Sequence, residues 1–563
     1  MQFFAGPLKE LAEYEEIQKK RTEKQGMIQI SGCVTSQKTH LMYALGDGFK
    51  RKIIAVSSEL RAKQIYEEYR FLDSDVWLYP AKDLLFYQAD LRGKFLIKQR
   101  MEVYQALLEQ EQVTVITSFD GFMDSLLPLE EMEKRVISLE AGQALDFEKL
   151  KKDMVLLGYE REEQIEGPGQ FAVRGGILDI YPLTEEVPVR IEMWGDEIDS
   201  IRTFDVESQR SIENLELIRI YPATDFPEEQ AKRVSFLDYF DKKTSMLFLD
   251  EPVRLIEKGE SVEEEFVQAQ ANRMECGYTV SDEEMKLFST KEIADKMNQY
   301  YSIGMSALEM KCKEFKTRGL YHLQAKGVNP YNNSFEMLTR DLKQLKRKGY
   351  RAILLSGSRT RAKRLAEDLR DYNLSSFYSE DVEREVNPGE IMVTYGHVTE
   401  GYEYPMIKFI VISETDIFGQ KKKKRKRKVY EGQKIQSFSE LKVGDYVVHE
   451  NHGLGIYQGI EKIEVDKVAK DYMKIAYAAG GNLYIPATQL DLIQKYASAD
   501  AKKPKLNRLG GQEWTKTKTR VRGAVKEIAK DLVELYAARQ EKHGFVYGCL
   551  LYTSPSPRDR TRS

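Results

Sequence analysis

The sequence predicts a multidomain α/β protein, broken by a β-rich insert and followed by a separate small β unit. Three observations carry this. Over the first 125 residues, short apolar runs alternate with helix-patterned segments, the rhythm of a largely parallel sheet. Near residue 167 the texture changes to strands rich in β-branched and aromatic residues, punctuated by Gly and Pro about every ten residues. From residue 441, apolar and polar residues alternate between glycine turns, as in a compact barrel. At 563 residues and roughly 150 residues per domain, the chain has room for about four domains.

The elements follow in order. Residues 8–25 carry helix spacing, MIQISG (27–32) reads as a strand, CVTSQKT as a polar turn, and HLMYALGDG as a helix ending at glycine. KIIAVSS is a second strand, followed by a helix from Glu59 to about Phe71; VWLYP and VTVITS are further strands. This first α/β part spans 1–125 and resumes over 223–325, with MLFLDEP (246–252) as a strand. Residues 126–222 form an antiparallel or α+β insert. A second small α/β domain occupies 335–420: the helix FEMLTRDLKQLKRKG, the strand YRAILLS, the helix RTRAKRLAEDLRDY, and the strands IMVTYG and FIVISE. The linker 421–438 opens with KKKKRKRK, and the β-barrel covers 439–497. In 506–548, Val521, Ala524, Val525, Ile528, Leu532, Leu535 and Tyr536 share one face of an amphipathic helix. The last fifteen residues, CLLYTSPSPRDRTRS, have no periodicity and read as a disordered, non-native tail.

Composition narrows the classes. With 42% hydrophobic and 31% charged residues, the chain is neither collagen-like nor disordered throughout. It has no apolar run of the ~18 residues a membrane span needs, and no secretory leader pattern follows the N-terminal MQFFAGPLKELAEYEE. Four scattered cysteines, Cys33, Cys276, Cys312 and Cys549, form no CxxC, which predicts a reduced cytoplasmic protein with no zinc site. His449 and His452 form an i,i+3 pair with no Cys nearby, so no metal is expected. The net charge of −4 is segregated, basic at 421–428 and acidic around 260–290. The basic run is either a solvated linker or a phosphate contact.

Two constellations could carry chemistry. Gly32 to Thr39, between a strand and a helix, fits a phosphate-binding loop except that Gln37 replaces the second glycine. In a working loop the glycine backbone cradles phosphate, Lys38 would reach the outer phosphates and Thr39 would hold magnesium. Asp250 and Glu251 end an apolar strand, where such a site places its metal-binding carboxylate. The broken glycine predicts a degenerate nucleotide site, Gly32, Lys38, Thr39, Asp250 and Glu251, without catalysis. Glu414 ends FIVISE in the same way, but with no phosphate loop in its domain it reads as structural. On the insert, Arg190 and Trp194 share one strand face near Arg174. That is either an interface hot spot or a half-buried sheet with solvated arginines.

Taken together, several stretches resemble the transcription-repair coupling factor (Mfd) family. GPGQFAVRGGILDIYP and VRIEMWGDEIDSIRTFDVESQRS resemble the UvrA-binding module shared by UvrB and that family. VGDYVVHENHGLGIYQGI and YMKIAYAAGGNLYIPATQLDLIQKY resemble its RNA-polymerase-interacting domain, a CarD-like barrel; LNRLGGQEWTKTKTRVRGAVKEIAKDLVELYAARQ looks like its connector helix. The resemblance covers residues 1–548 and corresponds to the N-terminal half of the family.

The resemblance implies a transcription-coupled nucleotide excision repair factor that binds stalled RNA polymerase and recruits UvrA. Its UvrA contacts fall on Arg174, Arg190 and Trp194, the last more usually Phe. Its contacts to the polymerase β subunit fall on Tyr457, Ile460, Ile463 and Glu464, with Ile463 as an exposed anchor. The first domain resembles a degenerate UvrB nucleotide fold, and YPAKDLLFYQADLRG is too short for UvrB's damage-gripping hairpin. The family's ATP- and magnesium-dependent translocase, which grips double-stranded DNA, would follow residue 548 and is not in this sequence, so the chain is expected to bind without catalysis and without cofactor. The rival expectation is a UvrB-like nucleotide-dependent damage-recognition protein using Lys38, Thr39, Asp250 and Glu251. A second is a CarD-like transcription regulator on a scaffold.

Overall fold

The computed structural model describes residues 2–82, 94–206, 208–224, 233–275, 287–381, 383–419, 433–434, 443–449, 452–465, 468–486, 493–496, 504, 506–509, 513–514, 516 and 520. The basic run 421–428, the helix expected over 521–541, the tail 549–563 and most of YPAKDLLFYQADLRG lie outside the described residues. The chain divides into two compact units, the first ending at residue 424. No helix among the described residues is long and apolar enough to cross a membrane.

The first unit is a mixed α/β assembly of several sheets. Its opening strands are β1 (Gly26–Ser31), β2 (Arg51–Val56), β3 (Val76–Tyr79) and β4 (Val113–Ser118). Helix α1 (Thr35–Leu45) follows β1, and α2 (Glu59–Leu72) follows β2. Ser58 caps α2 by accepting the Arg61 N–H on its hydroxyl, which satisfies one of the donors left open at a helix start. Helix α1 begins inside the polar turn expected over CVTSQKT, so Lys38 and Thr39 stand on its first turns.

The chain then leaves the sheet for the insert. There β5 (Ile137–Glu140) and α3 (Phe147–Leu156) precede β6 (Glu160–Arg161), β7 (Gln170–Arg174), β8 (Ile177–Tyr181), β9 (Val189–Trp194), β10 (Glu197–Phe204), β11 (Ser211–Leu215) and β12 (Leu217–Ile220). Strands β6 to β11 form one sheet, antiparallel except at β6–β7, and β12 pairs with β5. The core under it contains Leu150, Met154, Phe171, Leu178, Ile191 and Ile201.

The chain returns as β13 (Ser245–Asp250), α4 (Pro252–Glu275), β14 (Tyr301–Met305) and β15 (Thr317–His322). Sequence from both sides of the insert interleaves in a seven-stranded sheet of order β15-β1-β14-β13-β2-β4-β3, with every pairing parallel. Its inner strands are buried almost throughout because both faces are covered. Ile28, Ile30, Ile54 and Val56 bury on one side. Met27, Ile53, Ala55 and Val115 bury on the other.

The second α/β sheet comprises β16 (Lys326–Gly327), α5 (Phe335–Arg347), β17 (Arg351–Ser356), α6 (Arg359–Asp371), β18 (Ser376–Tyr378), β19 (Ile391–Tyr395), β20 (Tyr402–Tyr404) and β21 (Phe409–Ile412). The strand order is β16-β20-β21-β17-β19-β18. Leu338 and Leu342 of α5 and Ala362 and Leu365 of α6 cover Leu354, Val393 and Ile412 on one face. On the other face, Ile353, Leu355, Met392 and Val411 join the core that includes Ile28, Ile54, Leu41 and Met42. The second sheet therefore draws the cover for one of its faces from the first.

In the second unit, β22 (Gln433–Lys434), β23 (Tyr446–His449), β24 (Gly453–Val465), β25 (Val468–Ala476), β26 (Asn482–Pro486) and β27 (Ile493–Lys495) form an antiparallel sheet of order β22-β27-β23-β24-β25-β26. Val447, Met473, Ile475, Ile485 and Ile493 make its core. Where the sequence predicts a barrel, the described residues give a six-stranded sheet whose two end strands are not paired to each other.

Candidate interaction surfaces and a closed phosphate loop

Of the five residues expected of a nucleotide site, the loop after β1 brings Lys38 onto Asp250 and Glu251, while Gly32 packs on Leu323 and Thr39 turns to Glu68. Gly32 takes φ +79°, and a Cβ there would stand 2.1 Å from the Leu323 carbonyl oxygen, so only glycine fits. The Lys38 ammonium is buried and lies 2.6 Å from Asp250 Oδ1 and 2.5 Å from Glu251 Oε1. Arg61 Nε donates to Asp250 Oδ2 at 2.9 Å, and another Arg61 nitrogen donates to the Thr35 carbonyl at 3.0 Å. Two cations thus face two carboxylates. Burial pushes the Asp250 carboxyl up, but Lys38 and Arg61 outweigh it and hold the group below the usual carboxylate range. Burial, opposed by Lys38 and helped by Glu251 and Asp250, pushes the nearby Cys33 thiol up to about 12, so it stays protonated at neutral pH.

The Thr39 and Ser36 hydroxyls are also spent on protein. Thr39 Oγ1 donates to Glu68 Oε2 at 2.6 Å, and Ser36 Oγ donates to Glu68 Oε1 at 2.6 Å. Glu68 Oε1 also accepts the Thr399 N–H of the second α/β sheet at 2.8 Å, and Ser36 Oγ accepts that of Glu400 at 3.1 Å. Gln37 turns its side chain back to accept the Val34 N–H at 3.1 Å. A phosphate arriving here would have to displace two carboxylates from Lys38, and the hydroxyl suited to magnesium is already held by Glu68, the residue that latches to the second sheet. Among the described residues, no group of three or more His, Cys, Asp or Glu could hold a metal ion.

Glu414 repeats the theme in the second sheet. Its carboxylate accepts from the Gly357 N–H at 2.5 Å, the Ser356 hydroxyl at 3.2 Å and Arg361 at 2.8 Å. Burial pushes its carboxyl up, and these donors outweigh it and hold it below its ordinary value. Arg61 and Arg361 occupy the same place in the two lobes, each three residues after the serine that caps its helix. Neither arginine was singled out from sequence, although the repeated Ser-x-x-Arg spacing was there to be read.

On the insert, Arg190, Glu192 and Trp194 line one face of β9, while Val189 and Ile191 face the core. Arg190 grips the buried Asp179 with two nitrogens, at 2.6 and 2.9 Å, and donates to Gln209 Oε1 at 2.9 Å. Its guanidinium lies 4.4 Å from the centroid of the Phe204 ring. Hydrogen bonding to Asp179 pushes the Arg190 pKa up. Arg174 reaches the same carboxylate at 2.7 Å from a half-exposed position. Trp194 is 82% exposed beside the β9–β10 turn, where Gly195 takes φ +63°. Structure thus separates the three: Arg190 is built into the sheet, Arg174 is shared between sheet and solvent, and Trp194 is presented to solvent. Asp179, which organises both arginines, was missed. A lone acid inside the apolar run GGILDIY was its signal, because a buried carboxylate needs a cation.

In the second unit, Tyr457 does not stand on a surface as expected. It is 3% exposed within the core of the sheet, and burial pushes its hydroxyl up to about 12. Strand β23 pairs with β24 only over Gly453 to Ile456, whereas β25 pairs with β24 out to Val465. Ile460, Ile463 and Glu464 therefore lie on a stretch of β24 whose second edge has no strand partner among the described residues. The side chains of these three lie outside the described residues.

Comparison with known proteins accords with this arrangement. The family model described as UvrB interaction domain matches residues 137–226. The one described as CarD-like/TRCF RID domain matches residues 441–497. The chain thus carries matches to two interaction modules on an α/β frame. The chain is similar to curated proteins named transcription-repair-coupling factor. It is 29% identical to the transcription-repair-coupling factor of Bacillus subtilis (strain 168), over 92% of this chain and 49% of that protein. Against its counterpart from Staphylococcus epidermidis RP62A it is 28% identical, over 84% of this chain and 45% of the relative. The chain thus spans about half the length of the curated relatives it matches. Among solved structures, a hypothetical ATP-dependent RNA helicase from Sulfolobus tokodaii is 11% identical, with 69% of this chain and 80% of that one covered, and at a TM-score of 0.19 the likeness carries no weight.

Proposed function

We propose that this chain is the recruiting part of a transcription-coupled nucleotide excision repair factor, binding RNA polymerase through its second unit and UvrA through its insert. The observation that carries the reading is the presence of a UvrB interaction domain and a CarD-like/TRCF RID domain on one chain. On this reading the first α/β part is a UvrB-like nucleotide fold in degenerate form, and the second unit is a CarD-like barrel. Trp194, exposed beside a glycine turn, is the UvrA anchor. Arg190 holds the sheet that presents it. The open edge of β24 around Ile460 to Glu464 is the polymerase contact, suited to backbone pairing with a strand of the β subunit. The protein works in the cytoplasm, and any contact with double-stranded DNA that needs ATP and magnesium belongs to other parts of a full-length factor.

The chain itself binds without catalysis. The closed Lys38 loop speaks against the UvrB-like, nucleotide-dependent alternative. A pull-down of the full chain with purified UvrA and RNA polymerase β subunit tests the proposal. Trp194→Ala is expected to remove UvrA alone, and Ile463→Arg the β subunit alone. Capture of neither partner by the unsubstituted chain would sink it.

A further inference from the structure

An open cleft of about 550 Å³ lies where the second α/β sheet meets α2 of the first. From α2 come Glu67, Arg70 and Phe71; from the second sheet come Arg359, Tyr395 and His397. The volume is that of an ordinary small-ligand site. Strand β19 ends at Tyr395, and Arg359 opens the helix after β17. The cleft therefore sits outside the carboxyl ends of parallel strands, where open α/β sheets receive ligands.

Three features of its lining point to one chemistry. Arg70 and His397 are exposed and make no side-chain hydrogen bond or ion pair among the described residues. They leave cationic and hydrogen-bonding capacity unspent, unlike the closed loop at Lys38. Tyr395 is 42% exposed, with Arg359 5.4 Å from its ring centroid and Phe71 edge-on at 6.2 Å. That is an aromatic platform braced from below and backed by a guanidinium, the arrangement on which bases stack. Glu67 has no partner among the described residues, and Glu380, 2.9 Å from Arg359, holds that guanidinium in place. The carboxylates can accept from hydroxyl or amino groups.

We propose that this cleft binds one nucleotide unit, its phosphate against Arg70 and His397 and its base stacked on Tyr395. The unit is either a free mononucleotide or one residue of a nucleic-acid strand. Glu67 accepts a hydrogen bond from the sugar or base. The site is separate from the Lys38 loop, and it does not depend on the UvrA or polymerase surfaces.

Fluorescence anisotropy on the full chain tests this with two probes, a short labelled oligothymidylate and a fluorescent adenosine monophosphate. The comparison is with Arg70→Glu, His397→Glu, Tyr395→Ala and Tyr395→Phe. Loss of one stacked base is worth roughly tenfold or more in affinity, so Tyr395→Ala is expected to weaken binding by at least that much while Tyr395→Phe keeps it. Each acidic substitution is expected to weaken binding, and Arg70→Glu to flatten its salt dependence. Binding of the oligonucleotide alone, with this variant pattern, identifies a strand as the source; binding of the monophosphate identifies the free nucleotide. Should Tyr395→Ala fail to fold, the two exposed acidic substitutions decide. The proposal is overturned if neither probe binds, or if all variants bind as the unsubstituted chain does, which would assign any binding to the basic run at 421–428. Capture of UvrA and polymerase β subunit by the same variants should be unchanged, so this site can fail without touching the recruiting role.

Discussion

The Lys38 ammonium lies 2.6 Å from Asp250 Oδ1, across 212 residues of sequence, and this contact closes the loop that would otherwise cradle a phosphate. Both partners are almost wholly buried. Breaking such a pair from one side leaves a buried charge uncompensated, which costs about 3–5 kcal/mol. Lys38→Met is expected to destabilise the chain by that order in denaturant unfolding. Adding Asp250→Leu to it should recover part of the loss. Restoring glycine at Gln37 is expected to leave ATP binding undetectable by calorimetry, because the lysine remains neutralised. ATP binding by Gln37→Gly would refute the closed-loop account.

His40, two residues along α1, makes the first unit sensitive to acid. Its Nε2–H donates to the Phe4 carbonyl at 2.8 Å, and Nδ1 accepts from the Tyr404 hydroxyl at 3.1 Å. Burial pushes its pKa down to about 4, with the Phe4 hydrogen bond opposing it. The unfolded chain therefore takes up a proton below about pH 6.5 that the folded chain refuses until about pH 4. Stability is full above the upper value and falls through the window, by about 3 kcal/mol at its foot. Asp250, held low, adds a further loss only below the ordinary carboxylate range. Thermal melts from pH 7 to 4 should show the decline, and His40→Gln should flatten it. An unchanged slope in that variant would remove His40 as the cause.

Local pattern was legible in the sequence where it answers to local physics. VTVITS became β4 residue for residue, because a six-residue apolar run buried on both faces has few alternatives. The insert was legible because its glycine turns and β-branched strands break the α/β rhythm. Partners across distance were not. That Lys38 meets Asp250 follows from β13 lying two strands from β1, with β14 between them, which no spacing reveals. Glu68, which takes the Thr39 and Ser36 hydroxyls, looked like one acid among several on an amphipathic helix. Nor could the alternation around Tyr457 say which parity faces the core. A strand shifted by one residue exchanges its faces, and here the structure puts Tyr457 inside.

Arg190 and Trp194 should separate cleanly in mutants, although they share a strand face. Arg190 holds the buried Asp179 and packs on Phe204. Arg190→Ala is expected to cost about 3 kcal/mol of stability, as well as any contact to UvrA. Trp194 buries little of itself in the fold, so Trp194→Ala should leave the melting temperature unchanged. If the ring is the anchor of an interface, its loss costs at least ~2 kcal/mol of binding. Calorimetry with UvrA beside thermal melts distinguishes the two. A drop in melting temperature for Trp194→Ala would show that the ring packs against the fold.

The same logic divides Tyr457 from Ile463 in the second unit. Tyr457 lies in a small core with Val447, Met473, Ile475 and Ile485. A core of that size has little redundancy, and truncating a large buried aromatic ring typically costs about 3–5 kcal/mol. Tyr457→Ala is therefore expected to unfold the second unit and to abolish polymerase binding only as a consequence. Tyr457→Phe keeps the ring and should keep both fold and binding, because its hydroxyl is not the recognition group. Ile463 stands on the part of β24 that β23 leaves unpaired. Ile463→Arg should spare the fold and remove the β subunit. Replacing Ile460 by proline would delete a backbone donor and distort the edge itself, and should remove binding as well if a strand is added there. The order of effects is the test: binding lost with the fold intact at Ile463, and the fold lost first at Tyr457. If Tyr457→Phe lost polymerase while the sheet stayed folded, the hydroxyl would be a contact, and the inward placement of this side chain would not describe the bound state.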